Sequence, residues 1–152
     1  MVIMKNFFLI FITIFFINNS AFSAGTRDQA SALLERGIAL IQIDKNRALE
    51  QFVSGNGCLV IEDLYVFCFV TEGTLTAHPA LLGYNILSNP DIKDENGVQL
   101  GVSMISNAKS GVISEVVYKL RKYDTDSEQE YTKTTLYTKV SDQICGVGYY
   151  SD

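Results

Sequence analysis

The chain is poor in the residues that most often carry chemistry. Among 152 residues there is one histidine, His78, no tryptophan, and three cysteines, Cys58, Cys68 and Cys145. A lone histidine needs a nucleophile and an orienting acid to act as a catalytic base, and no motif places them. Neither GxSxG nor HExxH occurs, so no enzyme class is indicated. The cysteines have no CxxC or other metal-ligand spacing, so neither a metal nor a cofactor is implied. Basic residues number 12 against 17 acidic ones and form no stripe, which makes the chain a poor candidate for anionic lipid and leads us to expect no nucleic-acid partner. Beyond residue 23 no apolar run is long enough to span a bilayer.

What is present begins with an export signal. Lys5 supplies a positive start, Phe7 to Ile17 form an apolar core, and Asn18, Asn19 and Ser20 break it. Ala21-Phe22-Ser23 fits the small-x-small cleavage rule, with Ala24 a second choice. The rival reading is an uncleaved anchor, but a span needs about 20 apolar residues. No cysteine follows the site to carry lipid. We therefore expect residues 1–23 to be a cleaved signal peptide and the mature protein to be periplasmic. Residues 24–152 then form one domain, long enough for a real core. Loss of Lys5 moves the net charge from −5 to −6.

Periodicity divides the mature chain into α and β parts. Thr26 to Val53 reads as helix: Thr26 and Gln29 have capping-box spacing, and Leu34, Ile38 and Ile41 form an apolar stripe. Asp44 can cap a restart, and Gly55-Asn-Gly57 stops the helix. Tyr65 to Val70 is an aromatic and β-branched strand, Thr71 to Thr74 a hairpin turn, and Leu75 to Ala77 a short return ended by Pro79. Residues 80–97 read as loop, and Val98 to Ala108 as a short helix. Val112 to Tyr123, Tyr131 to Val140 and Gln143 to Tyr150 are three further strands, the last two joined by a tight reversal at Ser141-Asp142. No crossover long enough for parallel pairing remains after residue 111. The class is therefore α+β, with a five-stranded antiparallel sheet.

Few residues offer a site, and each has a plain structural alternative. His78 follows the short second strand and is a pocket donor, a base, or a structural loop residue. Asp124 to Glu130 alternates acids like a calcium loop, but Gln129 and Thr135 stand where the EF-hand needs Gly and Glu, leaving a solvated hairpin tip. Gly146-Val-Gly148 lacks a third glycine and a following helix, so it is no dinucleotide fingerprint. In a strand such glycines permit close approach or open space. Cys68 and Cys145 lie mid-strand among apolar residues and are expected as small buried thiols. By period 2, Lys133, Thr135 and Tyr137 share one face. If that face is covered, Lys133 is a buried cation that a ligand carboxylate would satisfy. If it is open, Lys133 is an ordinary surface lysine that guards the sheet.

Read together, several segments carry a resemblance. They are Ala32 to Ile41 (ALLERGIALI), YVFCFV from Tyr65, the EGT turn, Ala77-His-Pro79, Gly83-Tyr-Asn85 and the Lys93 to Gly97 turn. MISNAK from Met104, Lys133-Thr-Thr135 and the closing GVGYY complete the series. In this order they resemble the single, periplasmic Cache domains, PAS-like sensor modules. The resemblance implies a sheet with the Tyr65 and Gln143 strands central and adjacent, under a long amino-terminal helix. If one disulfide forms, that adjacency makes it Cys68–Cys145 and leaves Cys58 free.

It also implies a pocket on the concave sheet face that holds a small organic carboxylate. Carried over by position, its ligand-binding residues are His78, Asn85, Tyr118 and Lys133, with Tyr65 as a wall. The implied partner is a membrane sensor or chemoreceptor, since the chain is expected to lack its own output segment after Tyr150. Leu120 and Leu136 stand where the family often has Trp and another aromatic. Arg121-Lys-Tyr-Asp-Thr-Asp replaces an Asn-Pro turn. These departures support the alternative of a structural or interaction protein that keeps the fold without a working pocket.

Overall fold

The computed structural model describes residues 24–121 and 129–151. The expected signal peptide and the acidic turn around Asp124 lie largely or wholly outside the described residues.

Local chemistry at Thr26 starts the first helix, α1 (Arg27–Ile43). The Thr26 hydroxyl accepts from the Gln29 amide, and the Gln29 side chain accepts from the Thr26 amide at 2.7 Å. Both donors are among those a helix start would leave unsatisfied. Asp44 then ends one helix and begins another. Its extended backbone (φ −154°) breaks α1, and its carboxylate accepts from the Arg47 amide to cap α2 (Lys45–Ser54). Gly55 terminates α2 at φ 69°, in the left-handed region that costs glycine little.

Six strands follow: β1 (Val60–Ile61), β2 (Leu64–Phe69), β3 (Leu75–Ala77), β4 (Ser114–Arg121), β5 (Glu130–Val140) and β6 (Gln143–Ser151). All pairings among these strands are antiparallel, in the order β1-β2-β6-β5-β4, with β3 also paired to β2. The five expected strands are present within a few residues of their expected limits. β1 is an addition. It is two residues long and bounded by Cys58 and Glu62, both at φ 55°, too short for any alternation to register. β2 and β6 are interior strands, adjacent as the resemblance implied.

The sheet is covered on both faces, and strand parity decides what lies where. Leu64, Val66 and Cys68 of β2, with Cys145 and Val147 of β6 and Leu136 of β5, pack with Leu33, Leu34, Ile41 and Phe52 of the two amino-terminal helices. The alternate residues Phe67, Phe69, Ile144, Tyr137, Val116 and Tyr118 belong to a second core. A single 3₁₀ turn (Ile86–Ser88), the loops around it and α3 (Leu100–Asn107) cover that second face. At roughly 1.5–3 kcal/mol for each fully buried aliphatic or aromatic side chain, these two cores supply the main favourable folding term.

The expectation of buried free thiols at Cys68 and Cys145 is corrected here. The two residues are directly opposed in β2 and β6 with Cα atoms 4.1 Å apart, and they form a disulfide, while Cys58 is exposed and free, which is the pairing that the resemblance implied for a single bond. Opposed positions on paired strands hold the two sulfurs together, and sequence spacing cannot reveal that opposition.

Candidate functional site

A cavity of about 200 Å³ lies on the covered face between the sheet and the α3 layer. Its floor is built from strands. Tyr65 and Phe67 come from β2, Leu75 from β3, Tyr118 and Leu120 from β4, and Lys133 from β5, while His78 stands just beyond β3. Its roof is Leu81, Ile86, Ile92, Leu100 and Met104. Backbone bonds tie this roof to the sheet: the Glu95 amide donates to Val117 at 3.1 Å and the Lys139 amide to Lys109 at 3.3 Å. Asp94 stiffens the approach to α3 by accepting from the Val98 and Asn96 amides and from the Ser103 hydroxyl at 2.7 Å.

Lys133 is the most unusual element, a lysine only 3% exposed. The register places it between Tyr118 on β4 and Tyr150 on β6. Its ammonium lies 4.6 Å from the Tyr150 ring centroid and 5.0 Å from that of Tyr65, and it donates to the Tyr65 hydroxyl at 3.4 Å. Aromatic faces offset part of the cost of desolvating a cation. Gly148 makes the position possible. A Cβ there would stand 2.4 Å from Lys133 Cε and 2.8 Å from the Thr135 hydroxyl, so the lysine stem crosses β6 only where β6 has no side chain.

His78 is held in one tautomer. Its Nδ1 accepts from the amides of Ala80 and Leu81 at 3.0 and 3.1 Å, which leaves the ring proton on Nε2. The ring meets Tyr65 edge-on, 4.9 Å between centroids. Tyr118 shares a 3.0 Å hydrogen bond with the Thr135 hydroxyl. The result is one wall bearing an ammonium, an imidazole N–H and two phenols, in a cavity whose remaining lining is mostly apolar, with Tyr84, Asn89 and Gln99 as the exceptions.

Four of the five residues expected from sequence, Tyr65, His78, Tyr118 and Lys133, thus line one cavity. Asn85 is not among the residues lining it. Asn85 instead caps the 3₁₀ turn through the Leu87 amide at 2.8 Å and donates to the Glu72 carbonyl at 2.9 Å. Its work is to fasten the β2–β3 turn to the roof. The sequence reading missed most of the apolar roof, because Ile86, Ile92 and Leu100 lie in or beside loop without periodicity. Phe67 was detectable, two residues from Tyr65 on the same strand face.

No family model and no curated protein matches the sequence. Solved structures do match the fold. A methyl-accepting chemotaxis protein from Vibrio parahaemolyticus RIMD 2210633 aligns with a TM-score of 0.59 at 23% identity, over 82% of this chain and 88% of its own. A periplasmic sensor domain of a chemotaxis protein gives 0.55 at 20%, covering 82% and 90%. A Cache chemosensory domain, described for its carboxylic acid recognition, gives 0.53 at 20%, covering 82% and 88%. This chain has the Cache fold.

Within that Cache fold the two noted departures fall on opposite faces. Leu120 lines the cavity, whereas Leu136 packs against the amino-terminal helices and does not touch it. Of the two, only Leu120 bears on pocket shape. No helix among the described residues is long and apolar enough to cross a membrane.

Burial, and then the charge of Lys133, push His78 down from 6.5 to about 4. The sign of the resulting pH dependence follows. The unfolded chain binds a proton at His78 below about pH 6.5, while the native Cache fold refuses it until about pH 4. The His78 contribution is therefore complete above pH 6.5, falls as pH is lowered toward 4, and is flat below. Urea midpoints measured at pH 7.5 and 4.5 should drop less in His78→Gln than in the unaltered protein. Equal drops would mean that His78 titrates alike in both states.

Proposed function

We propose that this protein is an exported, periplasmic sensor-type module in which residues 24–152 form a single Cache domain that binds a small organic carboxylate. The ligand site is the cavity bounded by Tyr65, His78, Tyr118 and Lys133. Occupancy is passed to a membrane partner such as a chemoreceptor or sensor. The observation that carries this reading is Lys133, an almost wholly buried ammonium lining a largely apolar cavity beside an imidazole N–H. An anionic group is the ligand chemistry such a wall favours, through charge-assisted hydrogen bonds. Similarity in fold to chemoreceptor sensor domains, one of them described for carboxylic acid recognition, supports the same reading. No Ser, Thr or Cys is among the described residues that line the cavity, which favours binding over catalysis by a hydroxyl or thiol nucleophile.

A thermal-shift screen of small mono- and dicarboxylates against the purified protein tests the proposal. At least one acid should raise the unfolding temperature in a concentration-dependent way, since binding to the native state stabilises it by mass action. A screen with no shift for any acid, repeated by calorimetry, would favour the alternative of a structural or interaction protein with this fold.

A further inference from the structure

The polar and apolar groups of the cavity are segregated, and this bears on which acid it takes. The ammonium, the imidazole and the two phenols belong to the sheet side, on β2, β4, β5 and the end of β3. The roof presents Leu81, Ile86, Ile92, Leu100 and Met104. Three polar residues also come from the roof side: Tyr84, which is exposed, and Gln99 and Asn89, whose side chains are engaged in the fold. Gln99 donates to the Ile86 and Asn89 carbonyls at 2.7 and 2.9 Å and accepts from the Val102 amide at 2.8 Å. The Asn89 side-chain oxygen accepts from the Asp91 amide. No Asp or Glu is among the described residues that line the cavity.

Resting on the carboxylate reading above, we infer that the ligand is a monocarboxylate with an apolar tail, about four to six carbons in all. Its head group lies at Lys133 and His78 and its tail lies under the α3 roof. Size agrees with this. An apolar cavity of about 150 Å³ takes up benzene, so about 200 Å³ has room for a body of that scale together with a carboxylate. A two-carbon acid would leave the roof without contacts and forfeit the dispersion those side chains offer. An amino acid would bring an ammonium next to Lys133, and none of the described residues lining the cavity is a carboxylate that could receive it. A dicarboxylate would bury its second charge against leucine, isoleucine and methionine.

Calorimetry on the purified protein with acetate, propionate, butanoate, pentanoate, hexanoate and octanoate tests this, with norleucine and hexanol as controls. Burial of one methylene is worth about 0.8 kcal/mol, about fourfold in affinity. Affinity should rise by roughly two-hundredfold from acetate to hexanoate on that increment and fall again at octanoate. Norleucine should not bind, and hexanol should bind at least tenfold more weakly than hexanoate. In Leu100→Phe, which fills the roof, the hexanoate-to-acetate affinity ratio should fall more than tenfold. Acetate binding as tightly as hexanoate would overturn the tail inference and leave the carboxylate reading standing. Hexanol equal to hexanoate would overturn the carboxylate head group and with it the ligand named here. Binding of no acid at all would overturn both, and an unchanged ratio in Leu100→Phe would remove the tail from the roof.

Discussion

Replacing Lys133 by methionine is expected to weaken carboxylate binding by about ten- to a hundredfold while the protein stays folded. The ammonium is the one formal charge that the described residues bring into the chamber, and a hydrogen bond from it to a carboxylate is worth roughly 1.5–3 kcal/mol net. Each 1.4 kcal/mol is a factor of ten in affinity. Methionine keeps an unbranched stem of similar length in the channel left by Gly148, so loss of charge is separated from loss of packing. Lys133→Arg should also lose affinity, because the planar guanidinium cannot occupy the space of a compact ammonium between Tyr65 and Tyr150. His78→Ala should cost less, nearer the 1 kcal/mol typical of a neutral donor. Circular dichroism of each variant establishes folding, and calorimetry measures the affinities. A bound acid whose affinity is the same in Lys133→Met would remove the lysine from the site.

The second large effect concerns the Cys68–Cys145 bond. Its loss should lower stability by about 4 kcal/mol, because it closes a loop of 77 residues in sequence and so restricts the unfolded chain. Cys68→Ala/Cys145→Ala is the suitable double variant, since both positions are completely buried between the sheet and the helices and a serine hydroxyl would be stranded there. With a denaturant dependence of roughly 2 kcal/mol per molar, the urea midpoint should fall by about 2 M. Reducing agent should produce the same shift in the unaltered protein. Thiol titration under denaturing, non-reducing conditions should find one free sulfur, Cys58. A midpoint shift under 0.5 M, or three titratable thiols in the exported protein, would contradict the bond.

How much was legible can be argued from particular residues. The Thr26 capping box, the Asp44 restart and the Gly55 stop were all readable because each acts within three or four residues of itself. Strand parity was readable for the same reason. Alternation along Lys133-Thr-Thr-Leu-Tyr137 separates Lys133, Thr135 and Tyr137 from Thr134 and Leu136 whatever the rest of the chain does. What alternation cannot say is which face is covered, and here both are, so polarity carries no signal. Asn85 was drawn into the expected site by its position in the family resemblance, at Gly83-Tyr-Asn85, yet it is placed as a turn cap. That outcome depends on where Glu72 and Leu87 come to rest.

By itself the sequence determined the α+β class, the position of each long element to within a few residues and the alternation of the strands. All of these rest on interactions between near neighbours, whose geometry the backbone sets in advance. The resemblance named Cys68 and Cys145 as the pair if a bond forms, but tertiary structure decided that it does, and it alone decided the passage of Lys133 over Gly148 and the roof of Ile86, Ile92, Leu100 and Met104 above it. Those contacts join residues tens of positions apart. Their partners are chosen by which strands pair and which face a loop covers, and neither is written in the spacing of the residues that meet.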